Sequence, residues 1–290
     1  MRRRYYPRMR RRVWCETLSY DELTRSPVVD LLVRYRVDLL LAVRPWQLTH
    51  VAEVVKRLQG AGVFVGLWPM IADEDGRWAS SASCEKFIAF ADRLIDTAPS
   101  ADELVIDLEP PFHVLDQWKH RRPTWRQTPS PVTYRTSRDA YVEASRRWRA
   151  ARRVTTAVLP ALPIELRGEW LQRLFGTPVT ELSVDCHNVM AYSSLFEGWS
   201  HGLVDRRRAE WLLRLCAQLT RRRFGARAGL CLGTVAPGAF GDEPSYREVS
   251  ELARDVAVCR AAGVEELALF DLGGVVRRPP AQAWLEALCG

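Results

Sequence analysis

Lysine is almost missing from this chain of 290 residues, present only at Lys56, Lys86 and Lys119, so arginine supplies nearly all of its 42 basic side chains. Seven of those arginines, Arg2, Arg3, Arg4, Arg8, Arg10, Arg11 and Arg12, stand in the first twelve residues, and without them 35 basic residues face 35 acidic ones. A neutral body of this kind lacks the broad basic surface that phosphate backbones require, so nucleic acid is not expected as a partner. No CxxC pair occurs among Cys15, Cys84, Cys186, Cys216, Cys231, Cys259 and Cys289, whose spacing is wide and irregular. That excludes a zinc ribbon and a disulfide scaffold and implies a reducing compartment, here taken as the cytoplasm. No apolar segment of signal-peptide length follows the arginines before Glu16, and no run approaches the ~18 apolar residues of a membrane span, so no membrane partner is expected. Glycine is also missing where a dinucleotide-binding sheet needs it, because the first strand candidate runs into Cys15-Glu16-Thr17-Leu18. No cofactor and no metal site are expected.

What is present is alternation. Apolar or β-branched runs at 13–16, 37–43, 63–68, 104–109, 155–159, 182–192, 228–234 and 266–271 read as eight strands. Between them lie apolar stripes at helical spacing: Val51, Val54, Val55 and Leu58; Phe87, Phe90, Ala91 and Leu94; Tyr141, Ala144, Trp148 and Ala151. Two later stripes are Leu212, Leu215, Cys216 and Leu219, and Val249, Leu252, Ala253 and Val256, the last opened by Ser245 and Glu248 at capping-box spacing. Pro27 suits the first turn of the first helix. Eight such units fill about 250 residues when closed, which predicts a single-domain α/β fold, the (β/α)8 TIM barrel, over 13–290 behind a basic arm at 1–12. A long loop at 110–134 follows the fourth strand, and in a barrel it walls the mouth where chemistry takes place.

Two strands carry candidate chemistry. In Leu104-Val105-Ile106-Asp107-Leu108-Glu109-Pro110 the period of two puts Asp107 and Glu109 on one face, pointing into the barrel if Ile106 and Leu108 face the helices. Two carboxylates held that close resist joint ionisation, so one keeps a proton near neutrality and can act as a general acid. In Val184-Asp185-Cys186-His187-Asn188-Val189-Met190-Ala191-Tyr192 the same alternation groups Asn188, Met190 and Tyr192 and leaves His187 on the other face, as a histidine packed between strand and helix.

Together these segments resemble the family 18 glycoside hydrolases, the chitinase-like barrels. That family's fourth strand carries Asp-x-x-Asp-x-Asp-x-Glu, matched here by Asp102, Asp107 and Glu109 with Val105 in the second acidic place. Its sixth strand carries Met-x-Tyr-Asp, matched by Met190 and Tyr192 after Asp185 and Asn188, with Ser193 in the final place. Phe270 takes the place of the family's eighth-strand tryptophan. The resemblance implies that Glu109 protonates the leaving glycosidic oxygen, Asp107 orients the substrate's acetamido group and Tyr192 hydrogen-bonds the acetamido oxygen. It implies a retaining hydrolysis in which that oxygen replaces a protein nucleophile, on a carbohydrate or a glycosylated small molecule bearing an N-acetylhexosamine.

Strand ends alone add Glu16, Arg44, Trp46, Trp68 and Asp271 as substrate-binding candidates beside Met190, Asn188 and Phe270. The acidic turn of Asp73, Glu74 and Asp75 reads as solvated loop rather than as a cation site. Two other classes stay open: a catalytically silent sugar-binding barrel, because Val105 has displaced an acid, and a barrel in which Asp107, Glu109, Asp271 and Glu16 hold a divalent cation for phosphoester or lyase chemistry.

Overall fold

The computed structural model describes residues 9–120, 128–165, 168–200, 202–238 and 240–290. Eight parallel strands pair in chain order and close into a barrel: β1 (Arg10–Cys15), β2 (Asp38–Val43), β3 (Val65–Pro69), β4 (Glu103–Leu108), β5 (Arg153–Val158), β6 (Cys186–Met190), β7 (Ala228–Gly233) and β8 (Glu266–Phe270). The helices are α1 (Tyr20–Leu23), α2 (Ser26–Tyr35), α3 (Leu48–Gly60), α4 (Cys84–Thr97), α5 (Phe112–His120), α6 (Pro131–Arg149), α7 (Trp170–Phe175), α8 (Ser193–Gly198), α9 (Arg206–Phe224), α10 (Val249–Ala261), α11 (Leu272–Arg277) and α12 (Ala281–Cys289). The expected (β/α)8 TIM barrel is therefore the fold. Pro27 sits in the first turn of α2 as its fixed φ predicts.

Alternation along each strand sorts two cores. Outward residues such as Ile106, Leu108 and Val189 meet the helix stripes of α3 and α4 in one continuous cluster. Inward residues Trp14, Leu40, Trp68, Val105, Ala157, Cys231, Ala268 and Phe270 fill the barrel. Asp107 and Glu109 thus fall on the inner face, two and four residues above Val105.

The base of the barrel corrects the expected arm. Strand β1 begins at Arg10, and Arg12 is fully buried, its guanidinium bonded to Glu103 of β4 and, at 2.5 Å, to Glu266 of β8. Arg153 of β5 reaches Glu103 at 3.3 Å and Glu266 at 2.5 Å from the rim of the same layer. Arg10, Arg11 and Arg12 are therefore strand residues, because the two glutamates across the barrel supply the partners that let an arginine be buried. The rest of the proposed arm, 1–8, lies outside the described residues.

Four further boundaries differ from expectation. The segment 110–134 is not loop throughout, since α5 starts at Phe112 directly after Pro110 and Pro111 end the strand, and α6 starts at Pro131; 121–127 lie outside the described residues. Strand β6 spans only Cys186–Met190, because the peptides of Val179 and Thr180 donate to the Gln172 side chain and the chain joins the ladder late. On α9 the buried stripe is Ala209, Leu213, Cys216, Ala217 and Thr220, so Leu215 faces outward; leucines occur on both faces and the small residues choose the inner one. Ser245 and Glu248 form no capping box: α10 starts after Glu248, which makes no side-chain cap, and Ser245 bonds instead to Glu243 and Thr234.

Candidate active site

The C-terminal end of β4 is braced by the segment that follows β3. The Ala79 amide donates to the Asp107 carbonyl at 2.8 Å, and Ala79 pairs with Leu108 as a parallel bridge. That contact carries Arg77 and Trp78 to the edge of the carboxylate pair. Asp107 is buried, and its Oδ2 accepts a hydrogen bond from Trp68 Nε1 at 3.1 Å, while Oδ1 has no partner. Burial and the nearby charge of Glu16 raise the Asp107 carboxyl to about 8, against the downward pull of the Trp68 bond. Glu109, one pleat higher, is pushed well above the ordinary glutamate value by burial first, then by Asp107, Glu243 and Glu16, with Arg77 opposing. Both carboxyls accordingly favour the protonated form, the state a general acid needs.

A chain of aromatic rings floors this site. Trp14 and Trp68 meet edge-on with centroids 4.7 Å apart, Trp68 and Phe270 at 6.4 Å, and Phe270 and Tyr192 at 6.1 Å. The Tyr192 phenol is held neutral by burial and by the charges of Cys231, Glu109 and Asp107, so it remains a hydrogen-bond donor. Met190 packs on the same inner cluster. A second tier comes from beyond the strand ends: the Arg77 guanidinium lies 3.8 Å above the ring of Phe112, the first residue of α5, and Phe112 stacks on Phe240 at 5.1 Å and 12°. Apolar ring faces beside a few polar groups are what a pyranose needs, since its C–H face packs on rings while its hydroxyls seek donors and acceptors.

The remaining candidates divide. Glu16 stands at the end of β1 with Arg77 at 3.9 Å, and burial raises its carboxyl to about 7. Arg44 lies at the rim and is bound to Asp73 at 2.5 Å. Asn188 is fully buried against Gly229, its Oδ1 accepting from Cys186 Sγ at 3.8 Å. Trp46 is 67% exposed beneath the Arg44 guanidinium and does not join the ring cluster. Asp271 is spent on structure: its Oδ1 caps α11 through the Gly274 amide and its Oδ2 accepts from Thr17, both at 2.8 Å. With Asp271 committed, the four-carboxylate cation set loses a member, and among the described residues no three His, Cys, Asp or Glu side chains converge at metal-binding spacing. The acidic turn is likewise structural, with Asp73 held to about 2 by Arg77 and Arg44, and Asp75 paired with Lys86. His187 packs between β6 and α9 as expected, bonded to Thr156 at 2.9 Å and stacked on Phe224 at 4.4 Å.

Arg77, Trp78, Phe112, Phe240 and Glu243 escaped the reading of strand ends because four come from loops and Phe112 opens α5. One local signal was available, the Gly76-Arg77 pair, where both residues take positive φ (111° and 64°) in the turn that swings Arg77 inward.

No family model and no curated protein matches the chain. Solved structures do. The spore cortex-lytic enzyme SleL of Bacillus cereus superposes with a TM-score of 0.61 at 11% identity, covering 97% of this chain and 73% of that one. The PgaB (BpsB) glycoside hydrolase domain of Bordetella bronchiseptica gives 0.59 at 12% identity over 97% and 99%. Active domain 2 of the thermostable chitinase of Pyrococcus furiosus, solved with chito-oligosaccharides, gives 0.53 at 13% identity over 97% and 94%. The fold is that of these (β/α)8 barrels. Identities this low establish the fold alone, and the chemistry rests on the residues at its mouth.

Proposed function

We propose that the chain is a glycoside hydrolase of the chitinase-like type, cleaving beside an N-acetylhexosamine in an oligosaccharide or glycosylated small molecule. The observation that carries this reading is the β4 pair: Asp107 and Glu109 on one inner face, with Glu109 driven to hold its proton at the mouth of an aromatic-floored barrel. In the first step the acetamido oxygen of the bound sugar forms a bond to C1 as the C1–O bond breaks, and the Glu109 proton passes to the departing oxygen. Asp107 accepts the acetamido N–H at a carboxyl oxygen, and the carboxylate left on Glu109 balances the positive oxazolinium ring. Tyr192 donates its O–H to the acetamido oxygen and holds it under C1. In the second step a water attacks C1 from the face the leaving group left, gives its proton to the Glu109 carboxylate and reopens the ring with retention. Glu16 and Arg77 frame the leaving-group side, and Trp68 and Phe270 lie under the sugar.

One observation favours a second reading, sugar binding without turnover. Val105 is fully buried below Asp107, and Asp107 Oδ1 has no partner there, so no lower carboxyl shares its proton. Mass spectrometry of N-acetylglucosamine oligosaccharides and glycoconjugates incubated with wild type, Asp107→Asn and Glu109→Gln in chelator separates the two. Products with wild type and none with Glu109→Gln support hydrolysis; binding without products in every variant supports the silent barrel; activity that chelator abolishes contradicts both.

A further inference from the structure

The helical layer around the barrel has one thin sector. Each of the other crossovers between successive strands carries a helix of at least 10 residues, such as α2 (10), α3 (13), α4 (14), α6 (19), α9 (19) and α10 (13). Between β5 and β6 the described residues supply only a 3-10 turn at Leu162–Ile164 and the six-residue α7. Beyond α7 the chain returns as an irregular segment pinned by Gln172, whose Oε1 accepts from the amides of Val179 and Thr180 at 2.7 and 2.8 Å.

Among the described residues the flank of α9 is therefore met only by the 3-10 turn and by Glu165, which binds Arg223. Trp211, Leu215 and Leu219 follow at i, i+4 and i+8 and so form one line on that helix, with Trp211 60% and Leu215 37% exposed. Leu219 enters a cleft of about 720 Å3 whose floor includes Leu182 and Phe224. Pro163 also lines it, next in the chain to Ile164, which is 58% exposed. Six of the nine large exposed hydrophobic side chains among the described residues, Ile164, Trp170, Trp199, Leu203, Trp211 and Leu215, fall in this part of the chain. Single exposed hydrophobics need no explanation, whereas a tryptophan and leucines in one helix line that ends in a cleft mark an interaction surface.

Charge selects the occupant. Arg222 and Arg227 stand exposed at the cleft rim, and Arg207, Arg208 and Arg214 are exposed along α9. The acids nearby are mostly committed: Glu210 binds Arg206 and Arg254, and Glu165 binds Arg223 and the Leu171 amide, leaving Glu181 exposed at the rim. We infer that the cleft beside α9 is a docking site for an amphipathic helix of a partner protein, with one apolar face and acidic flanks, seated where the described residues of the crossover supply only the short α7. The stretch from Trp211 to Arg222 is about 16 Å long at 1.5 Å per residue, room for three helical turns. A second copy docking through the same face would set these arginines against themselves, which costs affinity that an acidic helix gains.

The test titrates the full chain against a labelled 18-residue synthetic helix bearing leucines on one face and glutamates on its flanks. Its twin carries lysine for glutamate, and fluorescence anisotropy reads binding. Wild type is expected to hold the glutamate peptide at least tenfold more tightly than the lysine peptide, with affinity falling as salt rises. Trp211→Ser with Leu215→Ser should lose at least tenfold, and Arg222→Glu with Arg227→Glu should invert the preference, while circular dichroism and thermal unfolding stay those of wild type. Absence of binding, equal binding of the two peptides, or indifference to the Trp211 and Leu215 changes would overturn the inference. So would self-association in sedimentation, or binding to phosphatidylglycerol vesicles, that the same double change abolishes, since either assigns the face to another occupant.

Discussion

Replacing Arg12 by methionine tests how the barrel base is held. The guanidinium is fully buried and neutralises Glu103 and Glu266 together, with Arg153 reaching both from the rim. Methionine fills most of the stem volume but leaves two buried carboxylates facing one arginine, and breaking a buried pair in this way costs about 3–5 kcal/mol. For a domain of this size that corresponds to a fall in Tm of roughly 6–20 °C. The compensating change is Glu103→Gln, which removes the excess negative charge while keeping an acceptor for the Thr155 hydroxyl that now bonds Glu103. The double variant should therefore recover at least half of the loss, as residues in direct contact do not behave additively. Thermal and urea unfolding of wild type, both single variants and the double variant complete the cycle. A cost for Arg12→Met below about 1 kcal/mol, or a double variant less stable than Arg12→Met alone, would refute the view that the base is held by charge neutralisation.

Further outcomes follow from the site and its walls. The kcat/KM for cleavage should fall on the alkaline side, where Glu109, pushed well above its ordinary value by burial and by Asp107, loses the proton it donates, and Trp68→Phe should raise the Asp107 carboxyl further by removing the bond that stabilises its ionised form. Asp107 and Glu16 have folded values of about 8 and about 7, above the ordinary 3.8 and 4.5, so the native state holds protons that the unfolded chain has shed. Their contribution to stability is thus complete below the unfolded values and is lost as pH rises through the folded ones. Asp107→Asn should consequently be more stable than wild type at pH 9 by about 1 kcal/mol or more while losing activity, and calorimetry at pH 5 and pH 9 checks both ends of that window. Gly229→Ala places a Cβ 2.3 Å from Asn188 Oδ1 and 2.7 Å from Cys186 Sγ, so it should destabilise by about 1–3 kcal/mol in denaturant titration.

The barrel was legible in the sequence because its physics is local. Each strand announces itself by a short apolar run, and the period of two in 104–109 is enough to put Asp107 and Glu109 on the same side as Val105. Arg12 was not legible, since a run of arginines reads as a solvated tail until Glu103 and Glu266, 91 and 254 residues away, are brought to it by closure. Trp46 and Asp271 show the limit of reasoning from strand ends: both follow a strand, yet one turns to solvent and the other caps α11. The upper tier of Arg77, Phe112 and Phe240 depends on where two loops meet the start of α5, which no periodicity encodes. On α9 leucine on both faces hid the true seam, and small Ala209 and Ala217, by packing close, turned Trp211 and Leu215 outward.

The role of Glu109 as the acid is tested most directly by changing how much the leaving group needs a proton. Wild type and Glu109→Gln are compared on an N-acetylglucosamine oligosaccharide, whose leaving oxygen must be protonated, and on the 2,4-dinitrophenyl N-acetylglucosaminide, whose phenolate leaves unaided. Glu109→Gln is expected to lose about 10²-fold or more on the oligosaccharide and less than about tenfold in the bond-breaking step on the dinitrophenyl glycoside. Equal losses on both substrates, or unchanged cleavage of the oligosaccharide, would contradict the assignment of Glu109 as the proton donor.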